Sequence, residues 1–142
     1  MPKINTYLSF DGTAAEAMRH YEKVLGAKLD NLMRVGDMPD AARMPGTSPD
    51  RVLHAQLSFA DGGVLMASDR MGGGAHEGMK GFSVALTYES PEEANRVFNA
   101  LAENGMVLLP LQPSFFAKTF GMLIDRFGTP WTISGGGVAQ QG

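Results

Sequence analysis

The sequence predicts an α+β fold built from two tandem βαβββ units, and three observations predict it. Residues 120–134 form two alternating apolar runs around Phe127-Gly128-Thr129-Pro130, where Gly tolerates positive φ and Pro presets its own, the signature of a β-hairpin. Residues 53–68 echo that hairpin around Asp61-Gly62-Gly63, with Gly62 and Gly128 standing 66 residues apart. Two amphipathic helical patterns superpose at a shift of 77 residues, placing Glu16 on Glu93, Ala17 on Ala94, Arg19 on Arg96 and Tyr21 on Phe98. Internal repeats of this kind imply pseudo-twofold architecture, because each unit alone leaves an apolar face uncovered.

In chain order, residues 4–10 alternate with period two: Ile4, Leu8 and Phe10 are expected to face the helices, and Asn5, Tyr7 and Ser9 the other side. Asp11-Gly12-Thr13 supplies a turn, with Thr13 as N-cap and Glu16 completing a capping box. Ala14, Ala17, Met18, Tyr21, Val24 and Leu25 recur at helical spacing, and Gly26 ends that helix. Residues 27–35 read as a second strand, and 36–51, with three prolines and two glycines, as a loop long enough to act as a lid. Residues 51–60 and 63–68 make the first hairpin, with Leu53, Ala55, Leu57 and Phe59 on one face and His54, Gln56 and Ser58 on the other. Residues 69–80 form a Gly-rich loop that lacks both the Gly-Lys-Ser/Thr ending and the following helix of a phosphate-binding loop. The pattern then repeats: a strand over 81–88, a cap at Ser90-Pro91-Glu92-Glu93, a helix to Asn104-Gly105, a strand over 106–111, and the last hairpin. The 142 residues are read as one domain, 1–142, with unit one at about 1–70 and unit two at about 81–135.

Composition excludes several classes. With no cysteine there is no thiol nucleophile, zinc-thiolate site or iron–sulfur cluster, which agrees with a reducing cytoplasm. Twelve basic residues against fifteen acidic ones, without a Lys/Arg cluster, argue against nucleic acid as a partner. No stretch approaches the ~18 apolar residues of a membrane span, and the chain enters strand-like alternation without an apolar leader. The sequence therefore reads as a soluble, cytoplasmic protein with no membrane partner.

Tandem βαβββ units in a chain of this length, together with Leu65-Met66-Ala67-Ser68-Asp69, His54-Ala55-Gln56-Leu57 and the run from Phe120 through Asp125-Arg126-Phe127-Gly128 to Trp131, resemble the vicinal oxygen chelate superfamily. Glyoxalase I, extradiol dioxygenases and the fosfomycin- and bleomycin-resistance proteins belong to it, and the resemblance is to its PhnB-like branch. It implies a curved eight-stranded mixed sheet, or cup, with helices outside and the functional site inside, and a homodimer. Metal enzymes of the superfamily carry four ligands, one each from the first and fourth strands of both units. Those positions fall at Asn5, Met66, Phe82 and Thr132, none of them a His or a carboxylate, so the resemblance stops short of a metal and no cofactor is predicted. A register error of one strand would bring His54 or Gln56 into play as ligands of a divalent ion.

The alternation rule then lines the cup with Asn5, Tyr7, Ser9, His54, Gln56, Ser58 and Met66 from unit one, and with Phe82, Val84, Leu86, Phe120, Met122, Ile124 and Thr132 from unit two. One wall is polar and the other apolar, as in a small-molecule pocket. His54 suits acid–base work or a structural hydrogen bond, and Tyr7 suits substrate orientation or simple packing. Asp125 and Arg126 are expected to pair or cap at their turn, and Trp131 to lie in the core. His20 and His76 are assigned no role. Ten methionines suit irregular gaps and adaptable walls alike, and Phe115-Phe116 are expected to fold over the cup or a dimer seam.

The leading expectation is a metal-independent, PhnB-like protein that binds a small, partly apolar molecule, by sequestration or for a reaction still to be identified. The alternative is a metal-dependent lyase, isomerase or dioxygenase of the glyoxalase type. A methyltransferase, as PhnB-like sequences are often labelled, is a weaker alternative, since no Gly-rich strand–helix turn with a following acidic ribose-binding residue is present.

Overall fold

A computed structural model describes residues 2–39, 46–71 and 76–137. The chain divides into two compact units, residues 1–78 and 79–142. Parts of both loops singled out above, residues 40–45 and 72–75, lie outside the described residues.

Unit one runs β1 (Thr6–Phe10), α1 (Ala14–Leu25), β2 (Lys28–Arg34), a 3₁₀ turn (Val35–Asp37), β3 (Val52–Ser58) and β4 (Val64–Asp69). Unit two runs β5 (Val84–Tyr88), α2 (Pro91–Ala102), β6 (Met106–Gln112), β7 (Ala117–Ile124) and β8 (Pro130–Gly137). Each unit is one four-stranded mixed sheet, ordered β1-β4-β3-β2 and β5-β8-β7-β6, in which the first strand pairs parallel with the last and the others are antiparallel. The predicted α+β class and the two βαβββ units are therefore both present.

The two hairpin turns match bond for bond. Phe59 N–H donates to the Gly63 carbonyl at 2.9 Å and Gly62 N–H to the Phe59 carbonyl at 2.9 Å. Their counterparts 66 residues on, Asp125 N–H to Thr129 and Gly128 N–H to Asp125, measure 2.9 and 3.0 Å. Both Gly62 (φ 97°) and Gly128 (φ 92°) occupy the left-handed region, where a Cβ would be strained. Asp125 braces the second turn as expected, accepting from the Phe127 and Thr129 N–H groups and from Trp131 Nε1 at 2.8 Å, so the buried indole has its partner. Arg126 lies over the Phe127 ring.

Each helix covers one sheet face. Ala14, Ala17, Met18, Tyr21 and Val24 of α1 are buried, as are Ala94, Val97, Phe98 and Leu101 of α2. Beneath α1 lie Leu8, Phe10, Ala55, Leu57, Leu65 and Ala67, and the second unit buries Leu123, Trp131 and Ile133. Ile4, expected among the helix-facing residues, precedes β1 and is 95% exposed.

The helix starts differ in mechanism. Ser90 caps α2 as expected, its hydroxyl accepting from Glu93 N–H at 3.0 Å with Pro91 at the first helical position. The capping box predicted for α1 does not form, because Thr13 makes no side-chain cap bond. Asp69, buried at the end of β4, does that work. Its Oδ1 accepts from Gly12 N–H (2.8 Å) and Ala14 N–H (3.0 Å), and its Oδ2 from Val52 N–H (2.8 Å). A carboxylate there satisfies one of the helix's orphan donors, the Ala14 N–H, and complements its dipole. Beside it, Arg51 contacts Asp11 Oδ1 at 2.8 Å and holds that carboxyl below its ordinary range. Arg96 does the same for Glu93, while burial raises Tyr88 above the ordinary tyrosine value. At the other end, α2 stops at Ala102, just short of the expected Asn104-Gly105.

Candidate functional site

In each unit the sheet face away from the helix is built by residues that alternate with the buried ones. In unit one, Tyr7 pairs with Met66, Met66 with Gln56 and Gln56 with Asn31, one continuous row across all four strands. The neighbouring row holds Ser9 paired with Ser68, and His54 paired with Met33. The expected positions Tyr7, Ser9, His54, Gln56, Ser58 and Met66 thus share one face. Asn5 precedes β1 and is exposed.

The structure brings two of these residues into contact. Tyr7 Oη lies 3.1 Å from His54 Nδ1, and their rings are 5.7 Å apart at 42°. They reach each other across β4, which separates β1 from β3, so no spacing in the sequence announces the pair. Tyr7 is 51% exposed and His54 half-buried, which leaves the pair open to a ligand. At the margin of the same face Ser58 Oγ hydrogen-bonds Asp30, next to Lys28, which pairs with Ser58.

In unit two the first-strand register differs from the expectation by one residue. Residues 81–83 precede β5, and Phe82 is an exposed side chain outside the strand. Val84 and Leu86 pair with buried Trp131 and Ile133, so they lie on the helix side, and the open-face residues are Ala85 and Thr87, opposite Thr132 and Ser134. The cause is turn length. Three residues separate β1 from α1, but only Glu89 and Ser90 separate β5 from α2. A helix alignment at 77 therefore becomes a strand alignment at 78, and an odd slip reverses every side chain's face. The aromatic strand ends Phe10 and Tyr88, 78 residues apart, were the available signal. Elsewhere the register is as read: Phe120, Met122 and Ile124 pair with Ser134, Thr132 and Pro130 on the open face. Phe116 stacks edge-on to Phe120 at 4.9 Å, and Phe115 edge-on to Phe116 at 5.3 Å.

The corrected register bears on the metal. With β5 shifted by one, the unit-two first-strand ligand position becomes Ser83, whose Oγ is 2.6 Å from Thr132 Oγ1. Asn5 and Met66 of unit one offer an amide and a thioether, and Ser83 and Thr132 of unit two offer two hydroxyls already bonded to each other; neither pair supplies the several imidazole, carboxylate, thiolate or carbonyl donors that a divalent ion takes. Among the described residues, no three His, Cys, Asp or Glu side chains cluster to hold one.

The 3-demethylubiquinone-9 3-methyltransferase family model matches residues 2–134. The chain belongs to this family. It is similar to PA1353 from Pseudomonas aeruginosa, a solved structure with 41% identity and a TM-score of 0.87, over 95% of this chain and 98% of that one. It is 34% identical to protein YjdN of Escherichia coli K12, covering 92% of this chain and 93% of that protein. A structure from Bacillus cereus, described as a putative 3-demethylubiquinone-9 3-methyltransferase, PhnB protein, is 30% identical with a TM-score of 0.77, over 94% of this chain and 99% of that one. The fold is that of a glyoxylase/bleomycin resistance protein/dioxygenase domain from Frankia, at 15% identity and a TM-score of 0.70, over 99% of this chain and 95% of that one. The glyoxalase/bleomycin resistance protein/dioxygenase fold expected from the residues above is thus the fold this family member has.

Proposed function

We propose that the protein binds a small, partly apolar molecule on the open faces of its sheets, without the metal of the glyoxalase-type enzymes. The observation that carries this reading is the Tyr7–His54 hydrogen bond on the open face of unit one, beside Gln56 and the thioethers of Met33 and Met66. A few polar groups converging amid adaptable apolar side chains is what a small-molecule site requires. The methyltransferase wording belongs to the family's description; the β1–α1 turn, Asp11-Gly12-Thr13, is not the Gly-rich phosphate-binding turn of a nucleotide site. The donor chemistry at the four ligand positions favours binding over a metal-dependent lyase, isomerase or dioxygenase. We further infer a homodimer acting in the cytoplasm, with neither nucleic acid nor membrane as partner. The net charge of −3 supports the first exclusion, and among the described residues no helix is long and apolar enough to cross a membrane.

Native mass spectrometry of protein purified without chelator, paired with elemental analysis for Mn, Fe, Co, Ni, Cu and Zn, tests this. A metal-free dimer carrying a small bound mass is the expected result. One stoichiometric metal ion per chain or per dimer overturns the reading, and makes His54 and Gln56 the first residues to replace.

A further inference from the structure

The two central rows of each open face contain sixteen residues, and not one of them is Asp, Glu, Lys or Arg. At the chain's 19% charged content about three would be expected, and more on a surface. Formal charges stand beyond these rows at both ends of the unit-one face: Lys28 pairs with Ser58 and Asp30 hydrogen-bonds it at one end, and at the other Arg70 extends β4 past Ser68, its N–H bonded to the Phe10 carbonyl, near the Arg51–Asp11 ion pair. What the rows themselves offer is neutral. If Tyr7 donates to His54 Nδ1, the pair keeps an Nε2–H donor and a phenolic lone pair; if His54 donates, it keeps a phenolic O–H and an Nε2 lone pair. Either way one donor and one acceptor remain, and the Gln56 amide adds another of each.

Resting on the small-molecule reading above, we propose that the ligand is an uncharged molecule presenting both a hydrogen-bond donor and an acceptor on an apolar body, such as a primary amide or an enol-like group. A carboxylate or phosphate entering the central rows gives up water without meeting, in those rows, the guanidinium or ammonium that would replace it, and an organic cation there meets no carboxylate. The donor–acceptor pairs exchange water for a neutral polar group at little cost. The face thereby selects against ions by omission.

Three probes of matched size separate the possibilities: benzamide, benzoate and benzylammonium, titrated at pH 8 into the ¹⁵N-labelled full chain and followed by amide shifts. Benzamide is expected to move β1, β3 and β4 resonances with a Kd at least about tenfold below either ion, and Tyr7→Phe to weaken it about fivefold, the size of one neutral hydrogen bond. Gln56→Lys is expected to raise benzoate affinity at least about fivefold, and tests the point even if Tyr7→Phe fails to fold. Benzoate or benzylammonium binding as tightly as benzamide to the unaltered protein overturns the proposal while leaving a small-molecule site. No shift of any open-face resonance by any probe overturns that reading as well.

Discussion

Gly135 is where the packing of unit two leaves no room for a side chain. It sits in β8 between Tyr88 and Thr119, and a Cβ there would lie 2.7 Å from Ala94 Cβ, 2.8 Å from the Ser90 carbonyl oxygen and 3.0 Å from Pro91 Cα. Ordinary carbon contacts are about 3.5–4.0 Å, so Gly135→Ala must push the N-terminus of α2 off the sheet by the better part of an ångström. Two of the three obstacles are backbone and cannot rotate away. Overpacking typically costs 1–3 kcal/mol, and a backbone-limited case belongs at the upper end, about 3 kcal/mol, or a fall in Tm of about 10 °C for a chain of this size. Two residues on, a Cβ at Gly137 meets nothing among the described residues within 4 Å, and its φ is not in the left-handed region. Gly137→Ala is therefore expected to change stability by less than about 0.5 kcal/mol, or to stabilise slightly through the unfolded chain. Far-UV circular dichroism melts of both variants provide the comparison. If Gly135→Ala melts within about 2 °C of Gly137→Ala, the close approach of α2 to β8 is not what the structure shows.

The helix caps give a second set of outcomes. Ser90→Ala is expected to cost about 1 kcal/mol in urea unfolding, whereas Thr13→Ala, whose hydroxyl makes no cap bond, should cost a few tenths at most; equal losses would contradict the assignment. Asp69→Ala strips the acceptors from three backbone N–H groups and should cost at least about 3 kcal/mol, more than either. A third prediction concerns pH. The Asp11 carboxyl is depressed by Arg51, so its ion pair supports the fold above the unfolded aspartate value and is lost as pH falls through the lower folded one. A carboxyl-carbon NMR titration should return Asp11 to the ordinary aspartate value in Arg51→Gln, and an unmoved midpoint would remove Arg51 as the cause.

Local rules carried most of the fold. The hairpins were legible because a glycine at positive φ is needed within a few residues of the strands it joins, and both turns obey it at Gly62 and Gly128. The helices were legible because one face of each is apolar at three- and four-residue spacing, from Ala14 to Val24 and from Ala94 to Leu101. What escaped were interactions spanning the sheet. Thr13 and Glu16 satisfied the local pattern of a capping box, yet the cap comes from Asp69, 55 residues after Ala14. Tyr7 and His54 were each placed on the correct face, but that they touch depends on strand order, which alternation does not encode.

A single difference in turn length ties together the unlike halves of the molecule. The hairpin repeat makes Asp69 and Gly135 counterparts, as it does Met66 and Thr132. In unit one the three-residue turn before α1 leaves space at the end of β4, and the Asp69 carboxylate fills it and caps the helix. In unit two the turn is one residue shorter, the first turn of α2 presses on β8, and only glycine fits at 135. Capping then has to be local, and Ser90 supplies it. The same shortening moves β5 by one residue relative to its helix, so the counterpart of Tyr7 by strand pairing is Ala85, as the counterpart of His54 by hairpin repeat is Phe120. Neither member of the polar pair recurs. The open face of unit two is left with small and apolar side chains facing Thr132 and Ser134, and the hydrogen-bonding chemistry of the proposed site belongs to unit one.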